Sequence, residues 1–171
     1  LREGNLSMPR VFAVLFATCA LWVISAETAH ATCTGVSCSC SVSASAISFG
    51  TYNPISASDV DVASAISVTC SVLIVGGNVS YQIRLGAGAS ANQLNRTMKN
   101  GASSLGYNLF TDIARSTVWG DGSGGTGVAT MSYPIAIISR TDEFTIYGRL
   151  PAGQSVAAGA YSDTIIATVE F

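Results

Sequence analysis

The chain predicts an all-β sandwich, and three observations predict it. Apolar residues recur at every second position in several segments, which places them on one face of a sheet. These segments are short and separated by Gly, Pro, Asn, Asp and Ser, the residues of turns. No stretch carries a helical apolar stripe with caps. At 171 residues the length suits one domain.

The first 31 residues stand apart. Arg10 precedes VFAVLFATCALWVISA, an uncharged apolar run, and Ala29-His30-Ala31 follows as a small-x-small cleavage pattern. A positive start, an apolar middle and a small-residue cut site read as a secretory signal peptide over residues 1–31. The run is shorter than the roughly 20 residues of a membrane span, so no stable membrane insertion is expected after cleavage. The expected mature domain is residues 32–171. Cleavage would remove two of the eight basic and two of the ten acidic side chains, leaving a near-neutral chain with scattered charges. Such a surface has no basic footprint for nucleic acid.

Along the mature chain each strand has its own signal. In CSVSASAISFG, Val42, Ala44 and Ala46 share one face, and the phase shifts at Ile47 and Phe49, as at a bulge or a change of sheet. GTYNP reads as a turn. In AISVTCSVLIV the inward set is Ile66, Val68, Cys70, Val72 and Ile74. After GGN, VSYQIRL alternates Val79, Tyr81, Ile83 and Leu85. LGYNLF offers Leu105, Tyr107 and Leu109; VATMSYPIAI and EFTIYGRL follow, the latter with Phe144 and Ile146. The last segment, YSDTIIATVEF, sets Ile165, Ala167, Val169 and Phe171 on one face and runs that alternation to its last residue, with no further strand to pair beside it.

Four cysteines follow the leader: Cys33, Cys38, Cys40 and Cys70. An even number in an exported chain implies disulfides, and four allow three pairings. A Cys40–Cys70 bridge would staple two early strands and contribute roughly 3 to 4 kcal/mol; Cys33 and Cys38 would then pair locally, although Cys38 and Cys40 compete for either role. A zinc site is disfavoured, because CTGVSCSC lacks a second CxxC pair.

Catalytic chemistry is not expected. With the leader gone no histidine remains, which removes Ser-His-Asp and Cys-His arrangements. Asp59 with Asp61, and Asp142 with Glu143, lack the look of an acid–base couple. No cofactor is called for. VWGDGSGGTG, residues 118–127, has no phosphate-loop lysine and no helix after it, so it reads as a turn rich in positive φ. Calcium on Asp112 and Asp121 is the competing reading, without EF-hand spacing. Trp119, Tyr107, Tyr133 and Tyr161 are candidate sugar-stacking aromatics, against the alternative of core packing.

YNLFTDIARSTVWGDGSGGTG resembles the central signature of the spore coat protein U family, which includes subunits of archaic chaperone–usher pili. CSVSASAISFGTYNP, ISVTCS and YGRLPAGQSVAAGAYSDTIIATVEF resemble its opening, second and closing segments, in the family's order. The resemblance implies an immunoglobulin-like sandwich lacking its last strand. It places a bridge between Cys40 and Cys70. Its acceptor groove and chaperone-binding final strand would use Ile165, Ala167, Val169 and Phe171. The implied partners are a periplasmic chaperone, an outer-membrane usher and other pilus or coat subunits, on a path through the periplasm to the cell surface. Only TCTGVSCS precedes Cys40, with Val36 its sole large apolar residue, so the chain is expected to accept a strand but not to donate one. That points to a terminal or accessory position.

Overall fold

The computed structural model describes residues 38–72, 78–134 and 139–170. The expected leader, Cys33, the side chains of Cys38 and Val72, Ile74 and Phe171 lie outside the described residues. Two open antiparallel sheets face each other. The strands are β1 (Cys38–Ala44), β2 (Val60–Val72), β3 (Asn78–Leu85), β4 (Arg96–Asn100), β5 (Ser103–Phe110), β6 (Ala129–Pro134), β7 (Ser139–Leu150) and β8 (Ala167–Glu170). One sheet runs β1-β2-β7-β5-β4 and the other β6-β3-β8.

Period-two alternation forms the layers. Ile66 and Val68 of β2, Ile146 and Leu150 of β7, and Leu105 and Leu109 of β5 point inward from the large sheet, all at most 4% exposed. Val79, Tyr81, Ile83 and Leu85 meet them from β3. β2 and β7 are the longest pair, in register from Val60↔Leu150 to Ser71↔Ser139. The second strand thus begins at Val60, upstream of the apolar run that announced it, because Asp61 and Ala63 occupy outward positions.

Among the described residues β1 pairs only with β2, from Cys38↔Val72 to Ala44↔Ile66. Cys40 and Cys70 face each other in that register and are joined by a disulfide across a 30-residue loop. After Ala44 the chain leaves the ladder, which is the physical content of the phase shift at Ile47 and Phe49. Both side chains turn in against the core from an irregular segment. β4 had no sequence signal, since RTMKN offers a single apolar residue.

Among the described residues three polar side chains are buried, Arg96, Asn108 and Asp142. Arg96 is 0% exposed and bonds only to oxygens of uncharged groups: Gly86 O (2.7 Å), Trp119 O (2.8 Å), Leu85 O, Gln93 O and Asn108 Oδ1 (2.7 Å). It ties the end of β3, the turn before β4, β5 and the segment after β5 into one knot. Asp142, on the inner face of β7, accepts from Tyr81 Oη of the opposite sheet (2.8 Å) and from Arg140 Nε (2.7 Å). The Arg140 guanidinium lies 4.2 Å from the Tyr133 ring centroid. Among the described residues, no helix is long and apolar enough to cross a membrane.

Candidate partner-binding groove

Each sheet ends in a strand with one unpaired edge on the same side of the sandwich: β1 in the large sheet and β8 in the small one. β8 pairs with β3 from Gln82↔Glu170 to Leu85↔Ala167, and nothing among the described residues pairs with its other edge. β1 and β8 approach each other, and the core opens beyond their ends, between the segment that follows Ala44 and the segment that precedes Ala167. Val42 stays 39% exposed, and Ala44 and Ala46 are exposed, although Val42 and Ala44 alternate with the inward Cys40. An inward position that remains wet marks a missing cover.

The opening is a trench of two clefts. One, about 450 Å³, lies between Ala44, Ala46, Ile47 and Phe49 on one lip and Ile165 and Ala167 on the other, over Ile66, Leu85, Leu109 and Ile146. The second, about 620 Å³, lies between Ile47–Pro54 and Val156–Tyr161, over Met98, Leu105 and Leu150. Of the predicted final-strand set, Ile165 and Ala167 thus line the trench, and Val169 packs against the core beside it. Ile166, the outward neighbour, is 71% exposed.

Beyond Ala44 and Ala167 the lips are held, among the described residues, by side chains and a single backbone bridge. Ser64 Oγ donates to Ser45 O at 3.0 Å. Tyr52 Oη donates to Pro151 O (3.2 Å) and accepts from Gln154 N (2.6 Å). Opposite, Asp163 accepts from Ala89 N (2.9 Å), Thr164 N (2.8 Å) and Tyr107 Oη (2.8 Å). Burial first, then that bond to Asp163, pushes the Tyr107 hydroxyl well above its ordinary range. Lys99 and Ser162 exchange backbone bonds at 2.8 and 3.1 Å, which pins the second lip to β4.

The other sequence candidates have structural positions. Trp119 is 1% exposed and donates Nε1–H to Ile83 O at 2.8 Å. Tyr107 is 7% exposed. Both are core residues and neither presents a face to a sugar. Tyr133 lies under Arg140, and Tyr161 is half-buried with its hydroxyl on Ala157 O. The glycine loop folds on itself. Asp121 Oδ1 accepts from Ser123 N (2.8 Å) and Ser123 Oγ (2.7 Å), while Gly122, Gly124 and Gly125 take positive φ. Asp112 caps the neighbouring turn through Ser116 N and Thr117 N. Among the described residues, no three of His, Cys, Asp and Glu gather as a metal site.

The sequence did not mark the first lip, nor Met98 on the floor. The only hint was the phase shift at Ile47 and Phe49.

Comparison with known proteins agrees with this architecture. The family model described as Spore Coat Protein U domain matches residues 25–168. Protein U of Myxococcus xanthus is 35% identical over 136 residues, covering 73% of this chain and 71% of the relative. In solved structures the fold is similar to a chain of the CsuC–CsuE chaperone–tip adhesion subunit pre-assembly complex from archaic chaperone-usher Csu pili of Acinetobacter baumannii. That match has TM-score 0.53 and 24% identity over 78% of this chain. The present chain spans 40% of that chain's length.

Proposed function

Because the chain belongs to the Spore Coat Protein U domain family, we propose that it is a structural, non-catalytic subunit of a secreted cell-surface assembly, an archaic chaperone–usher pilus or a coat. Its trench is the acceptor for a β-strand lent by another molecule. The observation that carries this reading is the pair of unpaired edges, β1 and β8, with a wet apolar trench running on from their ends between residues 44–54 and 156–167.

The physics is strand addition. An extended segment laid beside β8 satisfies backbone groups on that edge, and its alternate side chains enter the clefts. Without it, an open edge beside apolar surface is an aggregation hazard. The sandwich is then an immunoglobulin-like one lacking its last strand. A periplasmic chaperone would lend the strand first, and a neighbouring subunit would replace it during export through an outer-membrane usher. Ile165, Ala167, Val169 and Phe171 are the final-strand residues assigned to the acceptor face. The same route leads through the periplasm to the cell surface, after removal of residues 1–31.

Co-purification from periplasm tests the reading. The chain is expected to travel with a chaperone and to aggregate when stripped of it. A stripped chain that stays folded, monomeric and indifferent to added strand peptides overturns it.

A further inference from the structure

Tyr107 touches both lips of the trench. It comes from β5, and with Phe49 and Asp163 it lines the first cleft. Its ring meets Phe49 of the first lip edge-on, at 5.7 Å between centroids. Its hydroxyl donates to Asp163 Oδ2 of the second lip at 2.8 Å. Each lip residue is also backed from behind. Phe49 lies over Gly148, where a Cβ would come 3.0 Å from the ring. Asp163 Oδ1 accepts from Ala89 N and Thr164 N, and the carboxylate lies against Gly88, where any Cβ would overlap it. Neither end of the row Phe49–Tyr107–Asp163 has room to retreat.

Apolar lips on either side of a wet cleft are drawn together, because closing would take their surface out of water. A phenol is a rigid spacer that loses little freedom when it is held. Fixed at its edge by Phe49 and at its hydroxyl by Asp163, it sets a spacing between the lips. Resting on the acceptor reading above, we infer that Tyr107 is a positioning residue that braces the empty trench open for an incoming strand. The strand then enters a preformed groove, and the lips need not be parted before backbone bonds form along β8. Such preorganisation raises the fraction of empty chains competent to bind, so it acts on the rate of capture. A contact made only with the bound strand acts instead on its release.

Stopped-flow capture of a fluorescent peptide tests the brace. The peptide has about ten residues, valine and threonine in alternation, and the full chain is used freshly released from its chaperone. Tyr107→Phe keeps the ring and removes the bond to Asp163; Phe49→Leu removes the ring contact at the other end. Each is expected to slow association about tenfold, and in Tyr107→Phe dissociation is expected to stay within about twofold of the unaltered chain. The double variant is expected to be no slower than the slower single one, since a brace cut at one end is already cut. Asp163→Asn keeps a hydrogen-bond partner for the Tyr107 hydroxyl and is expected to retain fast association. Where one single variant does not fold, the other decides. Unchanged association in the single variants overturns the brace and leaves the acceptor reading standing. Faster dissociation of Tyr107→Phe with unchanged association does the same, because the hydroxyl would then serve the filled trench. Failure of the folded, unaltered chain to bind the peptide removes the acceptor reading and the inference with it.

Discussion

Gln154 serves Gly106 as one more strand would. Its Oε1 accepts the Gly106 N–H at 2.7 Å, and its Nε2 donates to the Gly106 carbonyl at 2.8 Å. Gly106 lies on β5 at the register of Thr97, and its backbone pair on the other side would otherwise be left to solvent. The lack of a side chain on Gly106 makes the approach feasible, since a Cβ there would come 3.0 Å from Gln154 Oε1. The same glutamine donates its backbone N–H to Tyr52 Oη. Residues 49–52 and 151–154 are therefore two halves of one clamp, which fixes the first lip of the trench.

Gln154→Ala removes both bonds to Gly106. The expected loss is about 2 kcal/mol, since two part-buried backbone groups lose their partner. Gln154→Glu keeps an acceptor for the Gly106 N–H and loses the donor, so its carboxylate faces a carbonyl and it should fare no better than alanine. Urea unfolding of the strand-complemented chain measures both.

Arg96 makes a sharper case. Burial lowers its pKa from the ordinary value, yet all its partners are neutral oxygens that stabilise the charged form. Arg96→Leu orphans the carbonyls of Gly86 and Trp119 in a site closed to water and leaves Asn108 Oδ1 with the Leu109 N–H alone. Arg96→Lys keeps the charge but cannot span the same set of acceptors. Each variant is expected to cost about 3 kcal/mol or more, read as loss of soluble periplasmic protein or a large drop in melting temperature. Retention of wild-type melting by Arg96→Lys would show that the charge alone matters and the fork does not.

These groups also mark the limit of what the sequence shows. β2, β3 and β5 are legible because their inward residues are apolar at every second position. Arg96 and Asp142 occupy inward positions too, but a charged residue in the pattern reads as a break. Their partners lie far off in the chain: Tyr81 is 61 residues from Asp142, and Trp119 is 23 from Arg96. The trench is half legible for the same reason. Ile165, Ala167 and Val169 alternate cleanly. Ile47 and Phe49 reach the core from an irregular segment, and only the pairing of β1 with β2 shows which edge they overhang. Trp119 read as a possible platform for a ligand because exposure is a property of packing, not of spacing.

The buried tyrosines predict the alkaline limit of stability. Burial first, then the bond to Asp142, pushes Tyr81 well above its ordinary value of 10.0. Tyr107 is raised in the same way by burial and Asp163, and Tyr133 is raised chiefly by burial. A folded-state pKa above the unfolded one means that stability is fully present below about pH 10 and is lost as pH rises beyond it, because the unfolded chain releases protons the folded chain holds. Ultraviolet titration should therefore show part of the six tyrosines ionising near pH 10, and the rest only together with unfolding. Tyr81→Phe should flatten the alkaline decline, while costing about 1.5 to 3 kcal/mol at neutral pH through the lost bond to a buried carboxylate. An unfolding midpoint in alkali that does not move in Tyr81→Phe would contradict this assignment.

The Cys40–Cys70 bridge holds an edge strand that has one neighbour. β1 contacts the large sheet through β2 alone, and its inner face at Val42 and Ala44 lies open. Replacing both cysteines by alanine is expected to cost roughly 3 to 4 kcal/mol for a loop of this length. It should also raise hydrogen exchange in β1 more than in β7, which has neighbours on both sides. Strand-peptide binding should weaken in parallel, since β1 leads into the first lip. Uniform exchange across both strands would place the stabilisation in the unfolded chain rather than in β1.

The glycine loop predicts an acid response and an indifference to calcium. The hydroxyl and backbone N–H of Ser123 hold the Asp121 carboxyl down at about 2, from an ordinary 3.8. A depressed folded-state pKa contributes stability above pH 3.8 that is lost as pH falls towards 2. The group is at the surface, so the effect is a local loosening of residues 121–126. Asp121→Asn keeps an acceptor oxygen for Ser123 and should leave the loop ordered at neutral pH, with its acid sensitivity gone. Asp121→Ala should raise amide exchange at Ser123 and Gly127. Because both nearby carboxylates are already engaged by their own turns, millimolar calcium is expected to leave the melting temperature unchanged. A calcium-dependent rise that Asp121→Ala abolishes would make the loop a cation site and overturn the turn reading.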